Sequence, residues 1–516
     1  MDNSSRPAPL IIPPGFEAEM QELRRSMHLE QHDPEAPRRR AVLIEGMLQR
    51  LRPGQFPTFH ATLQSNLGAA YGELPVGDRA ANLQKAIACY EQALRVYTPE
   101  ADPLRYAATQ NNLGAAYADL PVGDRAANLQ RAIACYEQAL RVYTPEADPL
   151  DYATTQYNLG NAFLLLPVGD RAANLRQAIA CYEQALRFLT PEAAPFHYAM
   201  TQHNRGAAYR QLPVGDRAAN LRQAIACYEQ ALRFRTPEAA PFHYAMTQMA
   251  LGNAYLELPV GDRAANLQKA IACYEQALCF HTPEAAPLDY AATQNNLGAA
   301  YVDLPVGDRA ANQRKAVACY EQALRFYTPE SAPDGCRRAA HGLADLYFGE
   351  CQWSQAKASY TTAITAAEAR YQVAATEVSR QAELAEARDL FSNLAFCLAR
   401  LGKPNEAVEQ LEAGKARGLA EALARNRATL DDAKAEDRAA FEAVRSRIKS
   451  LEGEARAMGP MGGPDRTTSR SFTEISDDMR AARHELDAVI NRIRTYRPEF
   501  MAPGLTSPPK LNARSY

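Results

Sequence analysis

Pro121-Val122-Gly123-Asp124-Arg125-Ala126-Ala127-Asn128 is one of six occurrences of the same phrase; the others begin at Pro75, Pro167, Pro213, Pro259 and Pro305. The interval is 46 residues every time. A fixed period of that size means stacked copies of one supersecondary unit, not a single globular core. Such stacks present a long continuous surface and seldom close a pocket suited to catalysis.

Reading outward from the phrase gives the unit. Asp102-Pro103 sets a capping residue before a proline at the first helical position. Tyr106, Leu113, Gly114, Tyr117 and Leu120 then form an apolar stripe at helical spacing. Pro121-Val122-Gly123 breaks this helix, and Asp124 caps a second one carrying Leu129, Ala132, Ile133, Tyr136, Ala139 and Leu140 on one face. Thr144-Pro145 closes the unit, and the next begins. The spacing therefore predicts a repeated antiparallel helix pair. Gly114, Ala132 and Ala139 stand where helices must approach closely, with Tyr117 and Tyr136 as the large groups between them.

Leu113-Gly114-x-x-Tyr117 on the first helix and Ala132-x-x-x-Tyr136-x-x-Ala139 on the second resemble the tetratricopeptide repeat. That family usually has a period of about 34 residues, so this chain carries a lengthened variant with extra residues between the helices and after the second. Two further units return to the standard length. One runs through Leu343, Ala344, Tyr347, Ala356, Tyr360 and Ala363; the other runs more loosely through Leu394, Ala395, Leu398, Ala407, Leu411 and Gly414. The resemblance implies an all-α, right-handed superhelix of about eight helix pairs.

Composition agrees with a binding surface more than with a charged-ligand receptor. Of the 516 residues, 47% are hydrophobic, and the net charge is only −3. That gives no long-range field to draw in nucleic acid or an anionic membrane. Arg38-Arg39-Arg40 reads as a solvated helix face. The opening stretch, with Pro-Leu-Ile-Ile-Pro-Pro at 9–14, is too short and interrupted for a signal peptide, and no apolar run reaches the length of a membrane span. Cys89, Cys135, Cys181, Cys227, Cys273 and Cys319 follow the repeat. Equivalent positions on stacked helices lie about 10 Å apart, beyond the roughly 7 Å a disulfide allows, so these read as buried small hydrophobes in a reducing, cytoplasmic setting.

Because the copies are so uniform, the positions that vary are informative. Two residues before each Leu-Gly pair, the copies read Ser65, Asn111, Tyr157, His203, Met249 and Asn295. Five residues after the leucine they read Gly72, Ala118, Leu164, Arg210, Leu256 and Val302, and one step on Glu73, Asp119, Leu165, Gln211, Glu257 and Asp303. In tetratricopeptide proteins these first-helix positions line a concave groove that holds peptides. Asn66, Asn112, Asn158, Asn204 and Asn296 share that face, joined by Asn253, and an amide both donates and accepts toward an extended ligand. The expected groove is thus Asn111, Asn112, Tyr157, Asn158, Leu164, Leu165, His203, Asn204, Arg210, Met249, Asn253, Leu256, Asn295, Asn296 and Val302. Neutral drift on exposed positions after recent duplication is the alternative. Arg205 stands where the other copies have leucine, and needs either a route to solvent along its stem or a carboxylate partner.

Beyond the repeats, Thr429 to Met458 is highly charged and helical, Gly459-Pro460-Met461-Gly462-Gly463-Pro464 is a break, and Phe472 to Arg497 is a second amphipathic helix. Together they predict an antiparallel hairpin or short coiled coil, with an unstructured tail after it. Leu411-Glu412-x-Gly414-Lys415-x-Arg417-Gly418-Leu419-x-Glu421-Ala422-Leu423 resembles the segment that ends the repeats in bacterial proteins joining tetratricopeptides to a CHAT domain, a caspase-like cysteine peptidase. Tyr496-Arg497-Pro498-Glu499-Phe500 is similar to the phrase that precedes that domain.

Catalytic groups are not expected. His341-Gly342 lies in a repeat helix, and Cys336, Cys351 and Cys397 lie in helical or turn sequence without the pocketed setting a reactive thiolate needs. Gly414-Lys415 lacks the glycine a phosphate loop requires, since Glu409 stands there. His197, His203, His243 and His281 sit in separate units with no clustered zinc ligands. Gly-Asp-Arg reads as a turn and helix cap. The expected organisation is an N-terminal segment (1–58), six lengthened units (59–335), two standard units (336–426), a charged hairpin (427–501) and a tail (502–516). The expected function is a non-catalytic protein- or peptide-binding scaffold. It needs no cofactor or metal and takes no nucleic acid or membrane as partner. The CHAT resemblance implies the sensor or regulatory part of a caspase-like protease system, whose peptidase domain or substrate would be a partner; a stand-alone adaptor is the alternative, and an enzyme in its own right the remote one.

Overall fold

A computed structural model describes residues 10–29, 33–52, 54–75, 77–373, 377–413, 434–457 and 472–496. Among these residues there are helices and turns but no strands. The chain divides into two compact units, one ending at Ala239 and the other beginning at Ala240.

The first unit opens with α1 (Glu17–Leu29) and α2 (Ala36–Arg50). Four helix pairs follow: α3 (Pro57–Glu73) with α4 (Arg79–Ala93), α5 (Pro103–Asp119) with α6 (Arg125–Ala139), α7 (Pro149–Leu165) with α8 (Arg171–Ala185), and α9 (Pro195–Gln211) with α10 (Arg217–Leu232). α1 and α2 cover the open end of the stack. Phe16, Met20, Leu23, Ile44 and Met47 bury Phe59, Leu63 and Leu67 of α3, and Phe16 meets Phe59 edge-on at 5.5 Å. A stacked repeat cannot bury its own hydrophobic face at a terminus, so such a cap is required there.

The second unit holds α11 (Pro241–Glu257) with α12 (Arg263–Leu278), α13 (Pro287–Asp303) with α14 (Arg309–Leu324), and α15 (Pro333–Gly349) with α16 (Trp353–Val373). α17 (Glu377–Arg400) packs on α16 and is followed by helical residues 404–413. Buried Ala344, Ala356, Tyr360, Ala363, Leu394, Leu398 and Ala407 share one core, with Leu411 packed against it. α18 (Ala435–Ala457) and α19 (Phe472–Tyr496) form a hairpin closed by Phe441, Val444, Ile448, Leu451, Met479, Leu486, Ile490 and Ile493. Gly414, most of the segment resembling the CHAT-linked repeats, the glycine-proline break and the tail lie outside the described residues.

The repeated phrase is a turn in which each polar residue has a backbone task. Gly123 takes φ +78°, a left-handed value natural to glycine. The Asp124 carboxylate caps α6 by accepting from the amides of Ala126 and Ala127 at 2.8 and 3.2 Å. Arg125 donates back to the Ala118 carbonyl at the end of α5, and Asn128 Nδ2 donates to the Val122 carbonyl at 2.9 Å. The same bonds recur at Asp262, Arg263 and Asn266. Gly-Asp-Arg is therefore a turn and cap, as its sequence predicts.

Close approach within each pair falls where the small residues predict. A Cβ on Gly114 would lie 2.7 Å from the Tyr136 ring, and one on Gly252 would lie 2.6 Å from Tyr274. Between pairs, the first-helix tyrosine donates to a glutamate of the preceding second helix: Tyr117 to Glu91 at 3.0 Å, Tyr301 to Glu275 at 3.0 Å and Tyr347 to Glu321 at 2.9 Å. This device accommodates Arg205, whose Nη2 reaches Glu183 Oε1 at 2.8 Å while its guanidinium lies over the Tyr209 ring. The out-of-pattern arginine borrows a carboxylate that the repeat already supplies for its tyrosines.

Candidate functional site

Within each unit, successive first helices pack on one another: α3 on α5, α5 on α7, α7 on α9, and separately α11 on α13 and α13 on α15. Consecutive second helices pack less closely. The varying positions thus come to neighbouring rungs of a first-helix face.

The asparagines on that face hold one another. In the first unit, Asn158 Nδ2 donates to Asn111 Oδ1 at 3.1 Å, and Asn204 Nδ2 donates to Asn161 Oδ1 at 2.8 Å and to the Tyr157 hydroxyl at 3.2 Å. Tyr182 also donates to Asn161 Oδ1, at 2.7 Å. In the second unit, Asn296 Nδ2 and the Tyr274 hydroxyl both donate to Asn253 Oδ1, at 2.9 and 2.7 Å, and Asn295 donates to Asn296 Oδ1 at 3.1 Å. Asn111 and Asn112 are joined more loosely, at 3.5 Å. These amides thus tie α5 to α7 and α7 to α9 in the first unit and α11 to α13 in the second, with part of their bonding capacity already used.

The candidate residues differ in access. Leu165 and Val302 are exposed, at 55% and 46%. Leu164, His203, Arg210, Met249 and Leu256 are half-buried, as are Asn111, Asn112, Asn158, Asn204, Asn253 and Asn296. Tyr157 and Asn295 are buried, at 9% and 7%. Tyr157 packs against the Tyr182 ring at 6.2 Å, so it contributes to the layer beneath the face more than to the face itself. Met249 Sδ lies 3.4 Å from Thr293 Oγ1.

Residues not singled out in the sequence also belong here. Asn161 occupies the register of Asn253 and plays the same role. One further register reads Tyr97, Tyr143, Leu189, Arg235, His281 and Tyr327, and all six are buried. Arg235, 4% exposed, is pushed down to about 10 by burial, against the opposing effect of Tyr157. His281 is fully buried; its Nδ1 lies 3.2 Å from Thr293 Oγ1. The threonine hydroxyl in turn donates to the Asp289 carbonyl at 2.7 Å. Burial lowers the imidazole pKa, with Asp289 opposing. The 46-residue interval exposes this register in the sequence, yet its burial is visible only once the helices pack.

Among the described residues no three His, Cys, Asp or Glu side chains gather as metal ligands, and no helix is long and apolar enough to cross a membrane. Burial pushes the thiols of Cys89 and Cys135 up to about 11 and that of Cys181 up to about 12, the reverse of nucleophile activation. A cavity of about 320 Å³ opens beside Tyr327, Pro333 and Gly335. Its polar wall is Asp334, to which Arg337 and Arg338 approach at 3.3 and 3.2 Å and Arg370 also pairs.

No family model matches the chain, and no curated protein matches it. Among solved structures, the apo form of RapI aligns with 78% of this chain and 97% of its own, at 12% identity and TM-score 0.44. A Rap protein complexed with competence and sporulation factor aligns with 70% of this chain and 99% of its own, at 14% identity and TM-score 0.40. The TPR2AB-domain complex of yeast Sti1 with pHSP90 aligns with 65% and 98%, at 16% identity and TM-score 0.21. The described residues form an all-α array of repeated helix pairs.

Proposed function

We propose that this chain is a non-catalytic scaffold that holds extended polypeptide along the first-helix face of each of its units. The observation carrying this reading is the contrast between frame and face. Turn, caps, glycine–tyrosine contacts and tyrosine–glutamate ties recur almost unchanged, while Leu164, Leu165, His203, Arg210, Met249, Leu256 and Val302 vary from rung to rung at accessible positions. A rigid ladder with changing side chains suits recognition of a chain lying across several rungs. The half-used asparagine amides add donors and acceptors for a ligand backbone.

Photo-crosslinking tests this reading. A benzophenone amino acid at Leu165, His203 or Val302 is expected to capture polypeptide from the native lysate, whereas the same group at Gln130 on the exposed side of α6 is not. Equal capture from both faces would overturn it. The narrower reading is that the scaffold serves as the sensor or regulatory part of a CHAT-type protease system, with a caspase-like peptidase domain or its substrate as partner. The residues from Leu411 to Leu423 and from Tyr496 to Phe500 support this on sequence grounds. Reading the coding sequence after Tyr516 and its neighbours for a caspase-like domain tests it; absence from both would favour a stand-alone adaptor.

A further inference from the structure

The arginine that opens a second helix can serve two targets. Arg79, Arg171 and Arg263 each donate to a carbonyl near the end of their own first helix and also reach the residue forty positions on, in the next first helix. Arg79 finds Asp119 there at 3.3 Å, and Arg263 finds Asp303 at 2.8 Å. In the middle of the first unit the same register carries Leu165 and Gln211. Arg125 consequently keeps its bond to Ala118 but has no carboxylate partner among the described residues. Arg171 bonds the Leu164 carbonyl and the neutral Gln211 side chain, each at 2.7 Å. Leu165, 55% exposed, occupies the place where Arg125 would find its acid. The frame has lost two carboxylates on adjacent rungs and gained an exposed leucine.

We propose that Arg125, Leu165 and Arg171 form a docking edge for a peptide segment that carries acidic residues on either side of an apolar one. This rests on the reading of the first-helix side as a polypeptide-binding face, and adds the chemistry of its partner. A guanidinium matches a carboxylate in planar, two-pronged geometry, and an arginine whose internal contacts are all neutral keeps its charge for a carboxylate supplied in trans. Successive rungs lie about 10 Å apart, and an extended chain advances about 3.3 Å per residue. The two acids should therefore fall about three residues apart, with an aliphatic or aromatic side chain between them meeting Leu165. Asp119 beside Arg79 bounds the patch on one side, so the positive charge without an internal acid begins at the Arg125 rung and continues to Arg171, which fits a short acidic segment.

Selection from a random dodecapeptide display library on the full chain tests the proposal. Two variants serve as comparison: Leu165→Asp with Gln211→Glu, which supplies the missing acids, and Arg125→Gln with Arg171→Gln, which removes the attraction from the other side. The first reuses the side-chain chemistry the chain already has at Asp119 and Asp303, so it should fold; circular dichroism checks both. Peptides enriched on the wild type should carry Asp or Glu about three residues apart around an apolar residue. They should bind either variant about five- to tenfold more weakly, as expected for two exposed ion pairs, and the difference should shrink as salt is raised. Enrichment without acidic bias, or binding to both variants within twofold of wild type, overturns the docking edge and leaves the scaffold reading standing. No enriched peptide at all counts against both.

Discussion

At the scale of single residues, the structure shows how little room the repeat leaves. Gly114→Ala puts a methyl group 2.7 Å from the Tyr136 ring, and overpacking of this kind costs about 1–3 kcal/mol; urea unfolding should show the loss. Arg205 depends on Glu183. Glu183→Ala should destabilise by about 1 kcal/mol by leaving a half-buried guanidinium without its carboxylate, and adding Arg205→Leu should restore most of it, read as a double-mutant cycle. His281 has an imidazole pKa lowered by burial. As pH falls below the unfolded value of about 6.5, the unfolded chain takes up the proton first, so the contribution present above that pH is lost below it. His281→Tyr, the residue of Tyr97, Tyr143 and Tyr327 in the same register, should flatten the decline in stability between about pH 7 and 5.

At the scale of the element, the second helices of the six 46-residue units owe their start to one carboxylate each. Asp262 accepts from the Ala264 and Ala265 amides at 2.9 and 3.4 Å, so Asp262→Ala should cost about 1 kcal/mol and raise amide exchange in the first turn of α12. The first helices are started less uniformly. Asp102 accepts from the Arg105 amide at 3.2 Å, whereas α9, α11, α13 and α15 follow alanine and receive no side-chain cap. Proline at their first position leaves one fewer amide to satisfy, which explains why the alanine copies still begin at the same place.

At the scale of the whole molecule, stability in a stack is a sum of pair and neighbour terms, so whole pairs can be removed but halves cannot. Deleting 103–148, one period, joins Asp102 to Pro149 in the same context that Asp148 provides. Helicity per residue should be unchanged in the shortened chain. Deleting 103–124 alone leaves α6 without its partner and should give lower helicity and loss of cooperative unfolding. Circular dichroism during urea titration separates the two.

The amino-acid sequence by itself determined the class, the helix pair and its boundaries, because turn chemistry and apolar spacing are local and repeat six times with little noise. It also marked the varying face, since uniform copies make any difference stand out. Packing alone decided which of those residues face outward. Tyr157 and Leu165 looked alike as large groups on one helix face, yet one is 9% and the other 55% exposed. The asparagines read as free amides until neighbouring first helices brought them within hydrogen-bond range of one another. Arg125 and Arg171 lay hidden in an invariant phrase, because what distinguishes them is the residue forty positions away that the fold sets beside them. Local bonding is written along the chain, whereas exposure and charge compensation are properties of neighbours that the stack supplies.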